Sequence, residues 1–298
     1  MEIQSAAIPL QAINDSITKK HSVRLFVLRL DLNHPHVSGN KLFKLKYNTK
    51  EAQKQGKDTL VTFGGAFSNH IAATAAAGKE LGLKTIGIIR GEEHGELNPT
   101  LKFAIDCGMK LIHVSRKDYK NKKVQSFLNS QIDTSSNYYL IPEGGSNELG
   151  VLGCKEITQN IPIDFDIVCC PCGTGATLAG IVLSLKDGQE AIGFQVLKGE
   201  NYIINEVNNW LGKFQSPFPN QFKVNESYHF GGYAKIKPEL KEFIEMFEKE
   251  NNIPLDYVYT GKMMFGIYDL IKKGYFEKGK TIIAIHTGGL QGNQGFEL

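Results

Sequence analysis

A lysine placed behind a glycine turn, at the start of a helix, is a candidate amine nucleophile. The segment Ser38-Gly39-Asn40-Lys41, continuing as LFKLKYN, has that form. By residue type alone Lys41 is a solvated surface lysine, with Lys44 and Lys46 close behind it. Position argues otherwise. Near the positive end of a helix dipole and partly desolvated, the ammonium form is disfavoured, which suits a Schiff-base amine. A second segment, Gly64-Gly65-Ala66-Phe67-Ser68-Asn69-His70, ends a strand with two glycines and opens a helix. Read plainly, it is a turn with Ser68 as N-cap. Read chemically, it brings a hydroxyl, an amide and backbone N–H groups toward an anionic ligand. A third, Cys172-Gly173-Thr174-Gly175-Ala176-Thr177-Leu178-Ala179-Gly180, follows an apolar strand. Its glycines let successive N–H groups converge at a helix N-terminus, forming a phosphate cup. It lacks the Gly-Lys-Ser/Thr ending of a Walker loop, and Leu178 breaks a GxGxxG match, so no nucleotide fingerprint is present. A small phosphorylated cofactor or substrate fits better. The fourth signal is a pair near the C-terminus, Tyr259-Thr260-Gly261-Lys262 and His286-Thr287-Gly288-Gly289. Singly, Tyr259 could be a core tyrosine and Thr287 a turn residue.

These segments need a scaffold that delivers them to one place. Apolar, β-branched runs predict strands at 23–29, 59–63, 85–89, 110–114, 138–141, 166–170, 191–195 and 281–286. Most are continuous rather than alternating, as parallel strands covered on both faces should be. Helices alternate with them. Asn98-Pro99 is a cap followed by Pro at the first helical position. Ser68 precedes an Ala-rich helix over 69–81 that Gly82 stops, and a further helix is predicted over 259–273. The class is therefore α/β with mainly parallel sheet.

Composition narrows the alternatives. Of 298 residues, 41% are hydrophobic and 22% charged, enough for a full core, and the net charge of +3 gives no clustered basic face for nucleic acid. The basic run at 116–123 reads as a solvated helix or loop. No apolar stretch approaches a membrane span, and the acidic second residue disfavours a secretory signal, so a cytoplasmic protein is expected. Five cysteines give no disulfide framework. Cys169 and Cys172 have CxxC spacing, but zinc would need a second pair, and a strand position suits buried small hydrophobes better. His34, His36, His94 and His113 show no ligand spacing that excludes surface positions.

Together SGNKLFKLKYN, GGAFSNHIAATAAAGKELGL, CGTGATLAG, DYVYTGK and HTGGL resemble, in order, the 1-aminocyclopropane-1-carboxylate deaminase / D-cysteine desulfhydrase family. That family lies within the tryptophan-synthase-like, fold type II pyridoxal-phosphate enzymes. The resemblance spans about residues 23–290. It implies two three-layer α/β domains with mainly parallel sheets and the cofactor in the cleft between them. The large domain would comprise 1–43 and 143–298, with a small domain, 44–142, inserted in it. It further implies that Lys41 carries pyridoxal 5′-phosphate, that Asn69 bonds the cofactor's 3′-oxygen, and that Gly173, Thr174, Gly175, Ala176 and Thr177 hold its phosphate. Tyr259 would stack on or near the pyridine ring, and Thr287 would face its nitrogen. Ser68, Asn69 and His70 would meet the substrate, with Ser68 the candidate proton-transfer residue. A homodimer is the implied assembly.

Two positions bear on the reaction. Deaminases of the family carry Glu after the tyrosine and Leu after the histidine. Thr260 and Thr287 stand here, resembling the desulfhydrases. A carboxylate at the pyridine nitrogen favours its protonation and a stronger electron sink than a neutral hydroxyl. β-Elimination, with a leaving group at Cβ, needs less of that sink than opening a cyclopropane ring. The reading is thus a lyase acting on a small amino acid such as D-cysteine, giving pyruvate, ammonia and sulfide. The alternatives are the deaminase and, in another class, a non-catalytic cofactor- or phosphate-binding protein. The segment RLDLNHPHVSGNK departs from the Lys-Arg-Glu-Asp run common in the family, and the usual Pro-Thr-Pro lead-in is missing, so substrate recognition should differ there.

Overall fold

The computed structural model describes residues 2–93, 95–122, 125–132, 137–215 and 221–296. His94 and Lys123 lie outside them. Ten strands are seen among these residues: β1 (Leu10–Ile13), β2 (Arg24–Leu28), β3 (Thr59–Gly65), β4 (Lys84–Arg90), β5 (Met109–Val114), β6 (Tyr138–Ile141), β7 (Ile167–Cys172), β8 (Glu190–Gln195), β9 (Phe222–Asn225) and β10 (Thr281–Ile285). The helices are α1 (Ser16–His21), α2 (Asn40–Lys54), α3 (Asn69–Leu81), α4 (Pro99–Asp106), α5 (Gln125–Gln131), α6 (Glu148–Cys154), α7 (Ala176–Val182), α8 (Tyr202–Lys213), α9 (Pro238–Asn251) and α10 (Thr260–Lys272).

Two sheets form. One has six strands in the order β1-β2-β10-β7-β8-β9, parallel except for the antiparallel edge pair β1–β2. The other has four parallel strands, β5-β4-β3-β6. Both are covered on two faces, which is why their strands read as continuous apolar runs. In the larger sheet, Leu25, Val27, Cys169, Ile192, Phe194, Ile282 and Ala284 pack toward α9 and α10. Leu28, Val168, Cys170, Cys172, Ile283 and Ile285 pack the other way, toward α6, α7 and α8. This alternation is the period of two expected of a strand. In the smaller sheet, Val61, Phe63 and Ile88 pack with Leu128 on one side. On the other, Leu60 meets the alanines of α3, and Ile89 meets α3 and α4. The architecture is α/β with three layers about each sheet.

The helix signals appear as read: Ser68 caps α3, Gly82 closes it in a left-handed conformation, and Asn98 caps α4 with Pro99 next. Three expectations change. Strand β7 runs on to Cys172, so all three clustered cysteines lie in the strand, buried and free. The basic run at 116–123 is not wholly solvated: Tyr119 is buried and Lys122 pairs with Glu143 at 3.3 Å. His34 is buried against Glu80 at 3.0 Å rather than at the surface. No described helix is long and apolar enough to cross a membrane.

Candidate active site

The C-terminal ends of β3, β4, β7 and β10 converge with the start of α2 on a cavity of about 290 Å³. Ligands of open α/β folds bind at such strand ends, where the loops leave the sheet. Lys41, Ser68, Asn69, His70, Gly173, Thr174, Gly175, Thr177, Tyr259 and Thr287 all line this one cavity. Ala176 does not. It is fully buried, and its methyl packs into the core with Leu178 and Ala179, leaving only its backbone on the loop.

Lys41 owes its position to Gly39. That glycine has φ +73, and a Cβ there would lie 1.9 Å from the Thr287 carbonyl oxygen. No other residue lets the start of α2 sit against the loop after β10. Asn33 holds the turn from behind, accepting from the Gly39 N–H and donating to its carbonyl, each at 3.0 Å. Lys41 Nζ donates to Asn40 Oδ1 at 2.9 Å, and Asn40 donates to Thr177 Oγ1 at 2.9 Å. One asparagine thereby ties the amine to the glycine loop. Burial, helped by the neighbouring Lys44 charge, brings the Lys41 pKa down from 10.5 to about 7. Near neutrality a large share of this amine is unprotonated.

The shift has a sign in stability. Between about pH 7 and 10.5 the unfolded chain keeps a proton on Lys41 that the folded chain has lost, so stability rises with pH across that window. Below it, both states are charged and the folded state bears the whole penalty. Lys41→Met should therefore unfold at higher urea concentration than wild type at pH 6–7, and the two curves should approach each other toward pH 10. Parallel curves at all pH values would contradict the burial of this ammonium.

The loop after β7 is a concave run of backbone. Gly175 takes φ +75 at the start of α7, and Thr174 Oγ1 shares a 2.7 Å hydrogen bond with Ser146 Oγ. Beside it Lys44, buried on α2, donates to the Gly144 carbonyl at 3.0 Å, and burial disfavours its charge also. Sequence reading passed over Lys44 as one of several lysines on α2. Its placement one turn after Lys41, on the same helix face, was the available signal.

On the opposite wall, Asn69 Oδ1 accepts from Gln291 at 2.7 Å, which turns its NH₂ group free for a ligand acceptor. Ser68 Oγ accepts from the Ile71 N–H, leaving its hydroxyl proton available. His70 is buried, with Nε2 2.8 Å from the Thr62 hydroxyl, and burial together with the charges of Lys41 and Lys44 holds its pKa well below the usual range. Tyr259 covers Gly173: a Cβ there would lie 3.2 Å from its ring. Burial raises its hydroxyl pKa, and its ring meets that of Tyr233 edge to face at 6.2 Å.

Thr260 does not face the cavity. Its hydroxyl donates to Asp256 Oδ2 at 2.6 Å, and the same carboxylate accepts from the backbone N–H groups of Val258, Tyr259 and Thr260. One of the two positions that distinguish the reactions in the resemblance is thus spent on shaping the start of α10. Thr287 does line the cavity. Behind it His286 lies 3.3 Å from Asp31 and donates through Nε2 to the Pro254 carbonyl at 2.7 Å. Arg90, Glu143, Tyr202 and Tyr233 also line the cavity, and no local motif marks them.

The residues suit an aldehyde-bearing pyridine phosphate. They offer a desolvated amine, a donor-lined glycine cup with a second lysine amine beside it, and an amide whose free end donates. A desolvated lysine and a glycine cup at the strand ends of paired parallel sheets define the fold type II pyridoxal-phosphate class of enzyme. The chain belongs to the pyridoxal-phosphate-dependent enzyme family, whose model matches residues 6–288. A Pyrococcus furiosus protein described as "Putative 1-aminocyclopropane-1-carboxylate deaminase" is 31% identical, with 95% of this chain and 90% of the relative covered. The mitochondrial bifunctional D-cysteine desulfhydrase/1-aminocyclopropane-1-carboxylate deaminase of Arabidopsis thaliana is also 31% identical, with 91% and 74% covered. The crystal structure of an ACC deaminase homologue superposes with a TM-score of 0.84 at 29% identity, covering 97% of this chain and 91% of the other.

Proposed function

We propose that the enzyme catalyses β-elimination on a small amino acid such as D-cysteine, with Lys41 as the cofactor anchor. The observation that carries this reading is the Lys41 amine, brought to a pKa of about 7 inside the cavity. When bound, pyridoxal phosphate supplies an electron sink conjugated to the substrate's amino nitrogen, which acidifies the Cα–H bond. Gly173, Thr174, Gly175 and Thr177, with Lys44, would hold its phosphate, Asn69 its 3′-oxygen, and Thr287 would face the ring nitrogen. The turn at Ser68, Asn69 and His70 would fix the substrate carboxylate. Lys41, once released, is a base of suitable strength for the Cα proton, and Ser68 is the candidate to relay it. Tyr259, its hydroxyl kept protonated by burial, would close the cavity over the ring. The Cα–H and Cβ–S bonds break, sulfur leaves with the bonding pair, and water completes the products: pyruvate, ammonia and hydrogen sulfide.

Two positions favour this reaction over ring opening: Thr260, held by Asp256, stands where deaminases of the family carry a carboxylate that would sustain charge on the pyridine, and Thr287 lines the cavity where they carry leucine. The names of the relatives favour keeping 1-aminocyclopropane-1-carboxylate deamination as the second reading. The two are separated by incubating cofactor-loaded protein with D-cysteine, L-cysteine and 1-aminocyclopropane-1-carboxylate. Sulfide and pyruvate from cysteine are expected. α-Ketobutyrate from the cyclopropane substrate, without sulfide from either cysteine, would reverse the order.

We also read the four-stranded sheet and its helices as the smaller unit, 44–142, inserted between 1–43 and 143–298. The working form we infer is a cytoplasmic homodimer. Light scattering on the loaded protein would test the assembly.

A further inference from the structure

Arg90 ends β4, in register with Gly65 at the end of β3, one strand away from the turn that carries Ser68 and Asn69. It is exposed at the rim of the cavity. A Cβ built on Gly65 would lie 3.4 Å from its Nη2, so the guanidinium rests against bare backbone, with no Gly65 side chain between it and that turn. Its face lies over Tyr119, 5.8 Å from the ring centroid. Among the described residues it makes no hydrogen bond and no ion pair, although an arginine carries five donors in a fixed fork.

The other charges of the cavity are already committed. Lys41 serves as the anchor, Lys44 lies by the glycine loop and donates to Gly144, and Glu143 pairs with Lys122 at 3.3 Å. Among the described residues that line the cavity, what remains over its substrate side is an unspent positive charge with oxyanion-binding geometry. The α-carboxylate already has the Ser68–His70 turn. We propose that Arg90 receives a second anion, so that the preferred substrate is an α-amino acid bearing a phosphate ester on Cβ.

This inference rests on the β-elimination reading and deepens it. With O-phosphoserine the Cα–H bond breaks and its proton passes to the enzyme base. The Cβ–O bond breaks, and phosphate leaves with the bonding pair while paired to Arg90. Addition of water then gives pyruvate and ammonia.

The test compares kcat/KM for O-phosphoserine and for the uncharged-side-chain substrate β-chloroalanine, each as both enantiomers, in cofactor-loaded wild type and Arg90→Gln. The ratio of phosphoserine to chloroalanine should fall tenfold or more in the variant, mainly through KM. An equal fall for both substrates would mean that Arg90 holds a part common to all amino acids, which overturns the proposal. Wild type that eliminates chloride but not phosphate overturns it as well. If wild type turns over neither substrate, the β-elimination reading itself fails and this one falls with it.

Discussion

Lys41→Ala is expected to abolish turnover, by a factor on the order of 10³ or more, while leaving the protein folded. The side chain projects into a cavity and makes one hydrogen bond, to Asn40, so its removal opens no hole in the core. It also removes a desolvated ammonium, which costs nothing in stability. The visible absorption of cofactor covalently held by a lysine should vanish with it, even in excess pyridoxal phosphate. Added small amines should restore part of the rate, since the missing group is an amine and its pocket is left open. A variant that keeps both the band and the rate would move the anchor elsewhere, and Lys44 would be the next residue to replace.

Asp256→Ala should have the largest effect on stability of any single change near the site. The Asp256 carboxylate is buried and gathers four donors: the N–H groups of Val258, Tyr259 and Thr260, and the Thr260 hydroxyl, at 2.6–3.0 Å. Alanine leaves those groups without an acceptor, in a place where water enters poorly. A loss of about 3–5 kcal/mol is expected, read as a shift in the urea midpoint at unchanged slope. Because the same carboxylate sets the backbone of Tyr259, the surviving folded fraction should also show a raised KM. Asp256→Asn keeps one acceptor oxygen and should lose less. Equal stability of Asp256→Ala and wild type would show that α10 caps itself by other means.

Much of this was legible because the chemistry sits on local signals. A glycine before Lys41, a capping serine before an alanine helix and a glycine run after an apolar strand each report a strand end, and strand ends meet in this class of fold. Eight of the strands announce themselves as buried apolar runs. Leu10–Ile13 and Phe222–Asn225 do not: each is a four-residue edge strand with one partner, carrying polar residues such as Gln11 and Lys223. The placing of Thr260 was out of reach for a different reason. Sequence gives its place in a motif but not the direction of its hydroxyl, and Asp256, four residues earlier, captures it. Arg90, Glu143, Tyr202 and Tyr233 reach the cavity from separate elements, and no spacing rule links residues that only tertiary structure brings together.

The pairing of β2 with β10 has a consequence for how the molecule is made. Arg24 lies beside Thr281, so the second strand to leave the ribosome cannot find its parallel neighbour until the chain is almost finished. At ordinary rates of synthesis, roughly 250 residues take about 10–50 s. During that interval, Lys41 and its helix have no Thr287 carbonyl to rest on. The four-stranded sheet faces no such delay, since residues 59–141 supply all of its strands. Birth order therefore runs from the four-stranded sheet outward. Chains released before β10 emerges should hold the small sheet in a protease-resistant form while binding no cofactor at all.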